Sequence, residues 1–316
     1  MKARISKTVT ALLASAVCMP VFLGTANAGD SKAWWLDVEG GAEYSDNVAL
    51  EQNDTSTAKG DVAATMELDT GYKLVDAKDA RVEVGYNFFQ SIYQDLRAFN
   101  YQSHNPSIMA WIKPGGIKLG FEYSYTHSSL DGGFFLDQHM VSPTISAFLS
   151  DDLYLTGYYR YYDKNYKQKS DDRDAKTHQV GMDMYYYFDR PNKGYVSAGA
   201  GYTSEDTMGA AFDYSGFMAR TAVQFPVVLF DDKGHIKFSY AYQKRDYDND
   251  ISLTSVPPVV GDTRADDRHT LKLSGDLELN DNLKAIVEIR HVKRASNLSS
   301  ADYKENVGAV SLKYSF

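Results

Sequence analysis

The sequence has 316 residues, of which 43% are hydrophobic, 13% aromatic and 24% charged, and its formal net charge is −9 at pH 7. An excess of negative charge repels a phosphate backbone, so nucleic acid is not an expected partner. Cys18 is the single cysteine, which argues against a disulfide-stabilised fold.

The first 28 residues have the pattern of a secretory signal peptide. Lys2, Arg4 and Lys7 precede an apolar stretch over about 9–24, and the small-residue motif 26–28 (Ala-Asn-Ala) follows. We therefore predict cleavage after residue 28, although an uncleaved membrane anchor is the alternative. Cleavage would remove the cysteine, exclude thiolate chemistry and shift the formal charge to −12.

The remaining 288 residues alternate between apolar and polar positions with a period of two, as strands with one apolar face do. The chain contains 24 tyrosines, which suit half-buried strands and membrane interfaces. No apolar stretch approaches the 18 residues or so of a transmembrane helix. Fourteen strands are predicted, at 33–49, 61–75, 80–95, 101–114, 117–130, 134–149, 153–166, 174–188, 194–206, 212–227, 234–247, 265–279, 283–295 and 303–316.

These strands are longer than the roughly 5–6 residues typical of a soluble β-sandwich, and their length suits a tilted crossing of a bilayer. The connections alternate between short turns and longer segments. The short turns lie at 76–79, 114–116, 150–152, 189–193 and 280–282, and the longer segments at 50–60, 163–174, 203–213 and 246–266. We therefore predict an all-β, antiparallel, up-and-down transmembrane barrel of about fourteen strands, covering 29–316, with both termini in the periplasm.

The last strand carries a regular series of apolar residues. Gly308, Val310, Leu312, Tyr314 and Phe316 share one face. This segment resembles the C-terminal signal by which bacterial outer-membrane proteins are recognised. The resemblance implies a Gram-negative outer membrane, with its lipid and lipopolysaccharide, and the barrel-assembly machinery as partners. The last strand should close the cylinder by pairing with the first, around 34–44.

A narrower resemblance concerns both ends of the predicted barrel. The segments 43–50 (EYSDNVAL) and 266–316 are similar to the barrel of the surface lipoprotein assembly modifier family and of related exopolysaccharide-export proteins. That resemblance implies a fourteen-strand barrel and a role in export. The tetratricopeptide repeats of the family are absent from this sequence, so a separate periplasmic adaptor would have to supply their role.

If the apolar faces meet lipid, charged side chains line the interior in two arcs. The acidic arc comprises Asp37, Glu39, Glu43, Glu67, Asp69 and Glu83. The basic arc comprises Arg220, Lys237, Arg245, Arg268, Lys272, Lys284, Arg290 and Lys313. Closure of the barrel would bring the arcs side by side. They would then either neutralise each other through salt bridges or set up a transverse field across a water-filled pore.

The middle of the chain places a third group on the same interior face: Tyr154, Tyr158, Arg160, Tyr162, Asp183, Tyr185 and Tyr187. Aromatic faces beside charged hydrogen-bonding groups suit sugar rings. The alternative is that the tyrosines fill the interior or form an aromatic girdle. The segment 246–266, which contains Pro257-Pro258, is the predicted plug or gate.

The sequence therefore favours a transport barrel for hydrophilic solutes or an exported polymer, either a polysaccharide or a surface protein. A passive porin-like channel, a closed adhesin or structural barrel, and an outer-membrane hydrolase are the alternatives. The sequence has no zinc-ligand spacing, nucleophile elbow or phosphate-binding loop. We therefore predict a protein that is not an enzyme, with no catalytic residue, no metal site and no cofactor.

Overall fold

The computed structural model describes residues 32–50, 54–167, 171–250 and 263–316. The predicted signal peptide lies outside these residues, as does the central part, 251–262, of the predicted plug. Fourteen barrel strands are present: β1 Trp34–Ser45, β2 Asp61–Ala77, β3 Ala80–Tyr93, β4 Tyr101–Ile112, β5 Ile117–Leu130, β6 Gly133–Phe148, β7 Leu153–Tyr166, β8 Ala175–Asp189, β9 Gly194–Thr207, β10 Tyr214–Leu229, β11 Asp232–Asp250, β12 Thr263–Glu278, β13 Leu283–Ser296 and β14 Tyr303–Ser315. Two short strands, Ala49–Leu50 and Thr55–Ser56, and three 3-10 helices, Arg97–Phe99, Asp171–Arg173 and Ala210–Phe212, lie in connections.

The fourteen strands form one closed ring in which each strand is hydrogen-bonded to its neighbours in the sequence. The ring closes between β1 and β14, which pair antiparallel from Asp37 opposite Ser315 to Ser45 opposite Val307. The backbone nitrogen of Phe316 also donates to the carbonyl of Leu36, at 2.9 Å. The predicted all-β barrel, its strand count and its closing pair are confirmed.

Side chains alternate between an outer apolar face and an inner polar face. On β14, Val310 and Leu312 are 58% and 52% exposed, whereas Lys313 between β1 and β13 is 5% exposed. Exposed apolar residues therefore cover the outside, where a bilayer supplies the apolar environment. Within the described ranges, no helix has the length and apolar character needed to cross a membrane.

The connections define two ends of the barrel. The short-turn end carries the connections 78–79, 113–116, 149–152, 190–193, 230–231 and 279–282 together with Trp34 and Ser315, and the long-loop end carries the others. The predicted alternation of long and short connections is wrong at one place on the long-loop end. There, Asp131 and Gly132 join β5 to β6 as a two-residue turn. Both residues have positive φ, 50° and 73°, which an Asp-Gly pair adopts at little cost.

Replacing Val310 by Lys places a charge on the outer face near the middle of β14. We expect a loss of about 2–4 kcal/mol in the free energy of unfolding, because the charge must leave water for the hydrocarbon core. Denaturant titration of the protein refolded into vesicles measures this loss. The control is Ser299→Lys, which adds the same charge at an exposed residue of the connection 297–302 and should change stability by less than about 0.5 kcal/mol. Equal effects of the two variants would contradict the assignment of the outer face.

Candidate functional site

A buried network of charged and aromatic side chains crosses the inner face from β7 to β10. Arg220 donates from Nε to Asp183 Oδ1 at 2.6 Å, and its Nη2 bonds the second carboxylate oxygen. The same Nη2 also donates to the hydroxyl of Tyr158, at 3.2 Å. Asp183 and Tyr158 are 3% and 5% exposed. This two-pronged contact fixes both planes, so the three side chains form a rigid polar surface.

Two glycines allow this network to lie flat on the sheet. The ring of Tyr158 occupies the position that a Cβ of Gly181 would take, and the carboxylate of Asp183 occupies the corresponding position at Gly199. A larger residue at either position would push the tyrosine or the carboxylate off the wall. The glycines on β8 and β9 therefore position side chains that belong to the neighbouring strands.

Arg160 extends the network toward the long-loop end. Its guanidinium carbon lies 4.2 Å from the ring centroid of Tyr158, and its Nη1 lies 3.3 Å from Gln179 Oε1. Gln179 in turn donates to Thr203 Oγ1 at 3.3 Å. All four side chains are buried. Tyr162, one inward position further along β7, is half-buried, with Lys164 5.9 Å from its ring centroid.

Five aromatic rings form a cluster at the short-turn end of the same wall. The rings of Phe148 and Tyr154 are 4.8 Å apart, those of Tyr154 and Tyr185 6.4 Å, and those of Tyr185 and Tyr195 5.7 Å. Tyr187 completes the cluster at 6.1 Å from Tyr195. Tyr185 and Tyr187 are half-buried and so present part of their surface to the interior. Sequence reasoning missed Phe148 and Tyr195, although inward alternation along β6 and β9 would have found them.

The predicted acidic arc lies on β1 to β3, and four of its members have defined polar contacts. Asp37 Oδ2 is 3.0 Å from Lys313 Nζ across the closing seam. Glu39 accepts from the hydroxyl of Ser311 at 2.5 Å, Glu43 from Tyr93 at 3.2 Å and Glu67 from Asn87 at 3.0 Å. Asp69 lies opposite Asp37 and Asn87 in the register, and Glu83, which is buried, lies opposite Lys73 and Met109.

The predicted basic arc lies on β10 to β14, and glutamates on the same strands neutralise part of its charge. Lys272 lies 2.5 Å from Glu288 and Lys284 lies 2.9 Å from Glu278. In the strand register, Lys237 lies opposite Gln224 and Ser274, and Arg290 lies opposite Lys272 and Val307. Arg268 lies opposite Gln243 and Arg294. The guanidinium carbon of Arg245 lies 5.0 Å from the ring centroid of Tyr214. The seam brings the arcs together at Asp37 and Lys313.

The connection 46–60 crosses the long-loop end of the barrel. Val48 packs in a cluster with Ala63 on β2 and Tyr93 on β3, whereas Leu50 packs in a cluster with Leu136 on β6 and Tyr166 on β7. β7 lies six strands from β1 in a ring of fourteen, so these contacts reach the opposite wall. Val48 and Leu50 are 1% and 4% exposed. This crossing loop is an inward-folded connection, whereas the central part of the predicted plug, 251–262, lies outside the described residues.

Asp54 holds the tip of the crossing loop through three arginines. Its carboxylate lies 2.8 Å from Arg264, 2.7 Å from Arg294 and 2.9 Å from Arg173. Burial alone would raise the pKa of Asp54, but the hydrogen bond from Arg264 and the charges of all three arginines lower it below its ordinary value. The carboxylate therefore stays ionised at neutral and mildly acidic pH, and the attraction weakens only as the pH falls through the lowered pKa.

Sequence reasoning missed Asp54 and its partners, because nothing in a loop sequence shows which distant residues it will meet. Arg173 comes from the connection between β7 and β8, and Arg264 and Arg294 come from the long-loop ends of β12 and β13. Alternation could have placed the last two on the inner face. Only the closed ring shows that they converge on one carboxylate.

Comparison with known proteins identifies the fold. A bacterial polysaccharide outer membrane secretin superposes with a TM-score of 0.50 at 11% identity, over 89% of this chain and 97% of that chain. An anion-selective porin from Comamonas acidovorans superposes with a TM-score of 0.51 at 10% identity, over 90% and 98%. No family model matches the sequence, and no curated protein matches it. The chain has the fold of bacterial outer-membrane β-barrels, and at these identities the likeness shows the fold alone.

Replacing Arg220 by Gln leaves Asp183 buried without its charge partner. We expect a loss of about 3–5 kcal/mol in the free energy of unfolding, because the carboxylate remains desolvated. Asp183→Asn should cost a similar amount, and the double variant Asp183→Asn with Arg220→Gln should be more stable than either single variant. Denaturant titrations of all four proteins complete the cycle. A double variant whose loss equals the sum of the single losses would show that the two side chains do not interact.

Proposed function

We propose that the protein is an outer-membrane channel that passes hydrophilic solutes, with saccharides as the substrate class. The observation that carries this proposal is the inner wall from β6 to β10. There, the cluster of five aromatic rings adjoins the buried pair of Arg220 and Asp183. Sugar rings stack their C–H faces on aromatic rings, while their hydroxyls bond to charged groups beside them.

The two charged arcs support passage of polar solutes rather than apolar ones. They place charges of opposite sign on adjacent walls of the interior, on either side of the closing seam, which orients dipolar solutes and tunes ion selectivity. Fourteen strands also enclose a wider interior than an eight-strand barrel, which side chains alone can fill. The crossing loop narrows one end, so this channel would be restricted at its long-loop end.

Export of a polysaccharide is the form of this function that we favour. The secretin that shares the fold has polysaccharide in its name, and the sequence resembles export barrels at 43–50 and 266–316. In this proposal both termini face the periplasm, the long-loop end faces outward, and the barrel-assembly machinery inserts the chain. Lipid and lipopolysaccharide surround it, and a separate periplasmic adaptor would deliver the polymer.

Passive uptake is the second candidate, and the same wall would serve it. The porin that shares the fold is anion-selective by name, and the arginines near the crossing loop would attract anions in this barrel as well. Block of the current by oligosaccharide, added to one side of the bilayer at a time, separates the two candidates. An exporter that needs an adaptor should bind the oligosaccharide better from the short-turn end, where the aromatic cluster lies.

Single-channel recording in planar bilayers tests the channel and its aromatic wall together. We expect a steady current that oligosaccharides block. In Tyr187→Ala, each blocking event should last about one fifth as long as in the unaltered protein, because one stacking contact contributes about 1 kcal/mol. Tyr186→Ala is the matched control, because Tyr186 is the neighbouring residue on β8 and faces outward with 53% of its surface exposed.

Two outcomes would count against the proposal. Equal block times in the two variants would remove the aromatic wall from the binding site. Absence of current both in the unaltered protein and in a variant lacking 47–59 would contradict transport and favour a closed structural barrel.

A further inference from the structure

We propose that Arg173, Arg264 and Arg294 form a receptor for carboxylate-bearing sugars, in which Asp54 is a tethered competitor that such a solute displaces. This inference rests on the proposed channel function and deepens it, because it names the anionic members of the saccharide class as the solutes that open the long-loop end. The three arginines are called the arginine receptor below.

Two members of the arginine receptor, Arg264 and Arg294, have further contacts that do not involve Asp54. Asp266 accepts from Arg264 at 3.1 and 2.9 Å and from Arg294 at 2.6 Å. The guanidinium carbon of Arg264 also lies 4.2 Å from the ring centroid of Tyr247. These contacts belong to the barrel wall, so Arg264 and Arg294 keep their positions whether or not the loop tip is bound.

The third arginine approaches from a different direction. Arg173 lies in the connection between β7 and β8, and its guanidinium carbon stacks 4.2 Å from the ring centroid of Phe212 in the connection between β9 and β10. Guanidinium groups from two sides of the long-loop end, the connection between β7 and β8 and the strands β12 and β13, thus contact the carboxylate of Asp54. A planar anion with two oxygens is the ligand that such forks recognise.

The charges of this cluster favour an anion at the position of Asp54. Three guanidinium groups face the two carboxylates of Asp54 and Asp266, which leaves a net positive charge even with the loop bound. Removal of the loop tip would leave three cations beside one carboxylate. The carboxylate of a uronic acid could take the vacated position with the same hydrogen bonds, whereas a neutral hexose could not.

The loop is held differently at its base and at its tip. Val48 and Leu50 anchor the base through apolar contacts with β2, β3, β6 and β7. The described contacts of Asp54 at the tip are ionic and can be exchanged for those of a solute. Displacement of Asp54 would therefore release the crossing loop from the arginine receptor at this residue.

Loop mobility tests this inference without relying on current. In a Cys18→Ser background, Ser56→Cys carries a spin label two residues from Asp54. We expect sodium glucuronate to mobilise the label, and glucose with sodium chloride at equal ionic strength to leave it unchanged. Adding Asp54→Asn should raise the ratio of mobile to immobile label at least about tenfold without any solute, because the charged hydrogen bonds to Asp54 are lost. Asp95→Asn, an exposed carboxylate in the neighbouring connection 94–100, is the matched control and should have no effect.

Channel recording separates failure of this inference from failure of the channel function. An open fraction that rises with glucuronate in the unaltered protein, and is already high in Asp54→Asn, supports both. A current that neither glucuronate nor Asp54→Asn changes, together with an unresponsive label, overturns the receptor and leaves the channel standing. A label that responds to glucuronate in a protein that never conducts supports the receptor and contradicts transport.

Discussion

The pairing of the first strand with the last is the constraint on which the rest of the structure depends. Inside a bilayer no water is available for backbone groups, so every N–H and C=O must find a partner in the sheet. A ring satisfies them all and leaves no edge. Closure also decides which face is enclosed, and so it turns polar positions scattered over fourteen strands into one continuous interior.

The interior manages its charge by short-range pairing on rigid strands. Arg220 on β10 pairs with Asp183 on β8 across Gly199 of β9, and Lys313 pairs with Asp37 on the neighbouring strand. This pairing offsets the cost of burying the charges. Aromatic rings lie in direct contact with charged groups, as the ring of Tyr158 does with Arg160 and Arg220. In the proposed channel, a wall of this kind would bind a solute weakly at several points, which suits a solute that must both enter and leave.

Much of the fold could be predicted from the sequence because strand alternation and turn chemistry are local signals. The closing strand 303–316 and the first strand are examples, since their alternation fixes their faces. The interior arcs follow from the same rule. The crossing loop does not, because its contacts join positions far apart in the chain. Phe148 and Tyr195 were missed although both lie inside the predicted strands 134–149 and 194–206, where alternation alone places them on the inner face.

The crossing loop also orders the assembly of the barrel in time. Asp54 is synthesised early, and its partners Arg264 and Arg294 follow 210 and 240 residues later. The entropy of closing such long segments is offset first by the strand pairs between them, so the loop tip binds after the ring has formed. Seating of the loop is thus a late step of maturation that follows closure of the ring.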